Sequence, residues 1–240
     1  MATNAPPIME IYHNEHFIFN TPFNFTDRYD SSDDYFKPWD ELARDPLTDR
    51  ALNQAAVVPD AASCELPLDG QRGVGHRHFG LRMGGNHFNG FIAQYASGRY
   101  SKCHAHDPGP VLVCLSGKGY SITWDKALGT RPWENGVGDQ VRRQDYKAGG
   151  FVSAVPGGAQ AFHGHFGASK DPFRVMAFLG GHPRRTIGAI GEEVIGMNRD
   201  IKLGGNTIEY RDEDPYIRKM FKDALDSDGA EFNMPEASYV

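Results

Sequence analysis

His104 and His106 stand one residue apart in "GRYSKCHAH", behind Gly98 and ahead of the proline-rich "DPGP". A β-strand projects alternate side chains to one face, so the two imidazoles share a face while Cys103 points the other way. Neutral imidazole is the commonest side-chain ligand for first-row metals. A third ligand has to arrive from a different strand, and "VPGGAQAFHGHFG" offers His163 and His165, again one residue apart. Three imidazoles on one side of a metal leave positions open for substrate and oxygen. Either of His163 and His165 meets the need, and the other is left to donate a hydrogen bond or touch the substrate.

The surrounding chain has the texture of a barrel. From Arg72 to Leu179 short apolar runs ("HFNGFIAQYA", "PVLVCLSG", "GYSITW", "GGFVSAVPGG", "FRVMAFLGG") alternate with glycine, proline and serine clusters, which predicts strands at the spacing of a sandwich or barrel. A polar insert between Asp125 and Ala148 reads as a long hairpin or a loop over one barrel mouth. His76 and His78 in "GVGHRHFG" repeat the HxH spacing, but no matching downstream ligand is left over, and they read as polar alternation on an early strand. His87 reads as a turn or strand-edge residue, and Gln160 and Asp107 as weaker oxygen-ligand candidates. Residues 1–71 read as an arm: Tyr35, Phe36 and Trp39 are too many large apolar groups for a solvated tail, and a short helix near Lys37 to Ala43 is compatible with the pattern. Residues 72–182 form the barrel and 183–240 a C-terminal extension. In that extension "DEDPYIRKMFKDALDSDG" predicts a helix, with Pro215 in the first turn, Ile217, Met220, Phe221 and Leu225 on one face, and Gly229 past the end.

Composition narrows the classes. The formal net charge is −6 over 240 residues, with no basic stripe, which argues against nucleic acid as a partner. No run approaches the length of a membrane span, and the first residues lack the pattern of a secretory signal. Three widely spaced cysteines, Cys64, Cys103 and Cys114, form no CxxC pair and suit reduced thiols in a cytoplasm.

The stretch from Gly98 to Gly117 resembles the first motif of the cupin superfamily, with Gly98, His104, His106, Pro110 and Gly117 at the motif positions. The stretch from Gly150 resembles the second motif, with Gly150, Pro156, Gly158 and, offset by two residues, His163. More narrowly, "HGHFGASKDPFRVMAF" is similar to the second motif and following strand of bacterial cupins that read "HQHF" there; the resemblance spans residues 72–225. It implies an all-β cupin-type barrel (double-stranded β-helix, or jelly roll) with an N-terminal arm and a C-terminal helix. It also implies a metal held by His104, His106 and His163. Pro110 occupies the position where the family usually carries a glutamate ligand, which leaves a three-histidine site of the kind found in cupin dioxygenases, or a site that has lost its metal.

The function so implied is a non-haem Fe(II) dioxygenase acting on a small catechol- or hydroxybenzoate-like or diketone substrate, with Mn, Ni or Zn as other metals the imidazoles would accept. His165 is the candidate catalytic residue. Tyr100, Trp124, Phe162, Phe166 and Arg174 are candidates to line the pocket, ahead of Arg184 and Arg185. The partners expected are a small-molecule substrate and O2, with no nucleic acid and no membrane, and the aromatic arm suggests a homodimer or higher homo-oligomer. A metal-dependent isomerase or lyase, or a non-catalytic small-molecule-binding barrel, are the alternative readings.

Overall fold

Two of the motif glycines sit where only glycine is comfortable. Gly98 has φ of 74° and Gly117 φ of 71°, in the left-handed region. A Cβ on Gly98 would lie 2.0 Å from the Glu231 carbonyl oxygen, so the turn before the HxH segment is also the surface on which the C-terminal residues rest.

These turns connect the strands of two sheets. The computed structural model describes residues 41–44, 50–53, 58, 60–82, 89–106, 109–155, 161–179 and 198–240. The strands are β1 (Ala43–Arg44), β2 (Ala51–Asn53), β3 (Arg77–Arg82), β4 (Asn89–Tyr95), β5 (Val111–Ser116), β6 (Lys118–Asp125), β7 (Arg142–Lys147), β8 (Phe151–Ser153), β9 (Ala161–Gly167) and β10 (Phe173–Leu179). Seven form one sheet in the order β1-β2-β3-β4-β10-β5-β8, and three form the other in the order β7-β6-β9. Every pairing between these strands is antiparallel except β2 with β3. The expected all-β architecture is present. Tyr35, Phe36, Trp39, His87, Asp107, Pro156, Gly158, Gln160, Arg184 and Arg185 lie outside the described residues.

Period-two alternation then divides inside from outside. On the larger sheet Ala93, Tyr95, Leu112, Cys114, Phe173 and Val175 meet Tyr146 and Ala161 of the smaller one, forming the apolar part of the interior. The opposite face of the larger sheet is covered by Leu42, Ala51, Cys64 and Leu66 against Phe79, Leu81 and Ile92. The described part of residues 41–71 therefore packs on the barrel, and Ala43 belongs to a strand and not to the helix expected near it.

The outer face of the smaller sheet is sealed by the C-terminal helix α1 (Pro215–Asp228), which is as expected: Asp214 caps it, Pro215 opens it, and Gly229 ends it in the left-handed conformation. Its buried Ile217, Phe221 and Leu225, spaced four apart, press on Tyr100, Tyr120 and Phe166. This is why β6 is buried continuously from Gly119 to Trp124: one face lines the interior and the other lies under the helix. The insert between β6 and β7 is a hairpin connection that docks on α1. Trp133 packs on Tyr216, and the second carboxylate oxygen of Asp214 accepts from the Trp133 and Glu134 backbone N–H groups.

Asp214 thus satisfies three backbone donors from two segments while 1% exposed. Asp214→Ala is expected to destabilise the protein by about 2–4 kcal/mol, more than a simple N-cap loss, because two further N–H groups lose their acceptor. Denaturant unfolding checks this, and a loss below about 1 kcal/mol would show that the insert is not held through this carboxylate.

Candidate metal centre

The HxH segment is an added edge on the smaller sheet. His104 and His163 exchange both backbone hydrogen bonds at 2.8 Å, and the Ser101 N–H donates to the His165 carbonyl at 2.9 Å. Tyr100 bridges Phe166 and His104 bridges His163, so between the bridges three residues on one side oppose two on the other, a β-bulge. The free edge of the segment is closed by residues 206–208: the Ala105 N–H donates to Asn206 and the Ile208 N–H to Cys103. Gly164, between the two histidines of β9, gives the Cys103 sulfur room, since a Cβ there would lie 2.7 Å from it. Cys103 therefore points away from the histidines, into the packing under α1.

With both backbones fixed, three imidazoles converge. Ring centroids are 4.2 Å apart for His104 and His163, 4.8 Å for His106 and His163, and 5.3 Å for His104 and His106. One nitrogen from each lies within 4.8 Å of the other two, as a single metal ion requires. The donor chemistry fits a first-row divalent ion. The Nδ1–H of His104 donates to the Lys102 carbonyl at 2.8 Å, which leaves Nε2 with its lone pair for a ligand bond. His163 is fully buried, and neither of its ring nitrogens makes a hydrogen bond of normal geometry, the Ala161 carbonyl contributing only a minor pull. A buried imidazole with no partner costs about 1–3 kcal/mol, a cost that metal ligation removes. Among the described residues the group contains no carboxylate, and Pro110, buried at the start of β5, supplies none.

His165 shares the inner face with His163 but stands outside that group, 5.4 Å from His163 and 6.3 Å from His104 by ring centroids. Its Nδ1 is 2.8 Å from Ser121 Oγ, which is 3.0 Å from the Tyr146 hydroxyl. Burial pushes its pKa down to about 3, with the Arg72 charge adding to the effect. His104 and His163 are likewise driven well below the ordinary imidazole range, by burial first and then by neighbouring charges including Arg72. His104 and His163 are therefore neutral, the form that ligates.

The expected pocket residues are placed differently. Phe162 and Phe166 alternate with His163 and His165 and so face outward, where Phe162 meets Trp124 and Phe166 stacks between Tyr100 and Tyr120. Tyr100 donates to the buried Glu213 at 2.5 Å, under the C-terminal segment. Arg174 also lies on an outward position, between inward Phe173 and Val175, and its guanidinium is used by Gln94 and the Ala61 and Cys64 carbonyls. None of these five lines the chamber. Ser121 and Tyr146 are instead hydrogen-bonded in line with His165, and Tyr95 lies between His165 and His76, with His78 beyond. The HxH spacing at His76 was visible in the sequence, but the inward direction of His78 depends on β3 pairing with β4, and His76 reaches Tyr95 from the residue just before that strand.

No protein-family model matches the chain, and no curated protein matches it. Among solved structures it overlaps oxalate decarboxylase from Bacillus subtilis at a TM-score of 0.30 and 15% identity, over 40% of this chain. It overlaps the Cupin 2 conserved barrel domain protein from Salinispora arenicola CNS-205 at 0.35 and 17%, over 54% of this chain and 87% of that one. The chain spans 22% of the length of the Bacillus oxalate decarboxylase chain. The two sheets make an all-β fold, with the paired HxH segment along the edge of the smaller one. No described helix is long and apolar enough to cross a membrane.

The five histidines buried among the described residues give a pH signature. In the unfolded chain an imidazole takes its proton near pH 6.5. In the folded, metal-free barrel His76, His78, His104, His163 and His165 are held below that value, chiefly by burial. The unfolded state therefore binds more protons below pH 6.5. Stability present above that pH falls as the solution is acidified, by up to about 1.4 kcal/mol per pH unit for each group. Thermal melts of metal-free protein are expected to drop steeply between about pH 6.5 and 5, with bound metal protecting; a flat profile would contradict the buried, neutral assignment.

Proposed function

We propose that this chain is a metal-dependent oxygenase, a non-haem Fe(II) dioxygenase that uses His104, His106 and His163 as its metal ligands and acts on a small catechol-like or enolisable diketone substrate. The observation that carries the reading is the three-imidazole group itself, with no carboxylate among its described members. Neutral ligands leave the metal's charge uncompensated, which favours a substrate that binds as an anion through adjacent oxygens. Bound Fe(II) would supply one-electron chemistry with dioxygen and Lewis-acid polarisation of the substrate.

The chain's own residues supply the rest. Leu112, Cys114, Val155, Phe173 and Val175 give the interior an apolar wall that keeps water from the reacting groups. His165 holds or moves a proton. When Tyr146 donates to Ser121 and Ser121 to Nδ1 of His165, the Nε2 of that ring is a donor; reversing both hydrogen bonds makes it an acceptor. Because burial keeps the ring neutral, it takes a proton only when an anion lies against it. Three free, buried cysteines suit a reducing compartment, so the cytoplasm is the location we propose, with a homo-oligomer as the assembly.

The same relay favours a second reading, a metal-dependent isomerase or lyase in which His165 is the base. Oxygen separates the two. Anaerobically purified chain loaded with Fe(II) is expected to consume oxygen on addition of a catechol or diketone, and His104→Ala is expected to lower the rate by at least about a thousandfold. Product formation in oxygen-free buffer, lowered about a hundredfold or more by His165→Gln, would overturn the oxygenase and leave the proton-transfer enzyme.

A further inference from the structure

The wall of the barrel facing the metal centre carries a second histidine pair that the centre does not use. His78, in β3, pairs with Ala93 and so points inward, its ring 4.9 Å from Phe91. His76, two residues earlier, lies 4.9 Å from Tyr95 and 5.9 Å from His78. Tyr95 is in turn 6.2 Å from His165, so one tyrosine ring lies between the two histidine walls. His76 and His78 are 2% and 6% exposed.

Behind His76 stands a buried carboxylate. The His76 Nδ1 is 3.2 Å from the Asp69 carbonyl oxygen and 3.5 Å from Asp69 Oδ2, and that same Oδ2 is 2.9 Å from Arg50 Nε. Burial acts to raise the Asp69 pKa, but His76 and Arg50 together hold it well below the usual carboxylate range, so Asp69 is ionised. The Nδ1 of His78 is buried and has no hydrogen-bond partner among the described residues. A purely structural wall would be cheaper with an apolar side chain there. The unpartnered nitrogen and the carboxylate-backed ring are instead what an anion-binding site needs.

We propose that His76 and His78 form a carboxylate-binding subsite that takes the acidic end of a small substrate whose other end lies at the three-histidine centre. Only the second half of that statement rests on the function proposed above, because carboxylate binding needs no metal. In the empty barrel both rings are neutral, kept so mainly by burial. His78 donates its Nδ1–H to the carboxylate. The anion also favours protonation of His76, which keeps one N–H on Asp69 and turns the new one to the ligand. One carboxylate and one proton enter together, so no net charge is buried. Arg50, Asp69, Arg72, Tyr95 and His165 are the charged or titratable groups facing the pair. The two guanidinium charges disfavour an ammonium group, and a phosphate dianion would bring a second charge for which the single proton does not compensate.

The test is calorimetric titration of the EDTA-treated full chain with 4-hydroxybenzoate, in two buffers of different ionisation enthalpy, with phenol as the ligand lacking a carboxylate. Uptake of close to one proton per 4-hydroxybenzoate is expected, with affinity rising about tenfold per unit fall in pH above neutrality. His78→Leu should weaken 4-hydroxybenzoate about tenfold or more and leave phenol unchanged. His76→Gln should abolish the proton uptake. Wild-type protein that does not bind 4-hydroxybenzoate, or variants that match it in affinity and proton count, would overturn the subsite. If His78→Leu does not fold, the proton count of His76→Gln decides. Repeating the titration on Co(II)-treated protein separates the two readings. Failure of Co(II) to bind with carboxylate binding intact overturns the metal centre alone; Co(II) binding without the histidine-dependent carboxylate affinity overturns the subsite alone.

Discussion

The mutual backbone hydrogen bonds between His104 and His163 are the constraint on which the site depends. They join two segments far apart in sequence at one register, and register in a β ladder decides which face a side chain takes. A slip of one residue would send His163 and His165 outward and bring Phe162 and Phe166 in. Two features hold that register: residues 206–208 pair with the far edge of the HxH segment, and Gly164 admits Cys103 where another residue would push the strands apart.

The same alternation organises the energetics. The outward residues of β6 and β9 form an aromatic layer with Tyr100, sealed by Ile217, Phe221 and Leu225 of α1. This layer makes the sheet rigid and dry on its outer side. The inner side is dry for a different reason, since it is enclosed by the larger sheet, and dryness there keeps the imidazoles unprotonated. Neutral rings are competent ligands, and a neutral chamber bordered by Arg50 and Arg72 is receptive to anions. Packing outside and chemistry inside are therefore two consequences of one sheet buried on both faces.

Much of this was legible in the sequence. The HxH pair, the second histidine pair in β9, the helix from Pro215 and the turn glycines Gly98 and Gly117 are local signals, each with a physical reason that needs no long-range contact. Phe162 and Phe166 face outward whatever their residue type, because period two places them opposite His163 on β9. Arg174 needed the direction of β10 relative to β4 and β5, and the inward turn of His76 and His78 needed the β3–β4 pairing. Neither is contained in a local pattern. The Asp69–Arg50 pair behind His76 was likewise invisible, because it joins two segments of the part read as an arm.

The central claim is that three imidazoles, and no carboxylate or thiolate, bind one metal ion. X-ray absorption spectroscopy of the Fe(II)-loaded full chain at the metal edge tests it most directly. A spectrum fitted by three imidazole ligands, reduced to two in His163→Ala, is the expected result. A sulfur ligand, a protein carboxylate, or an unchanged imidazole count in His163→Ala would contradict it.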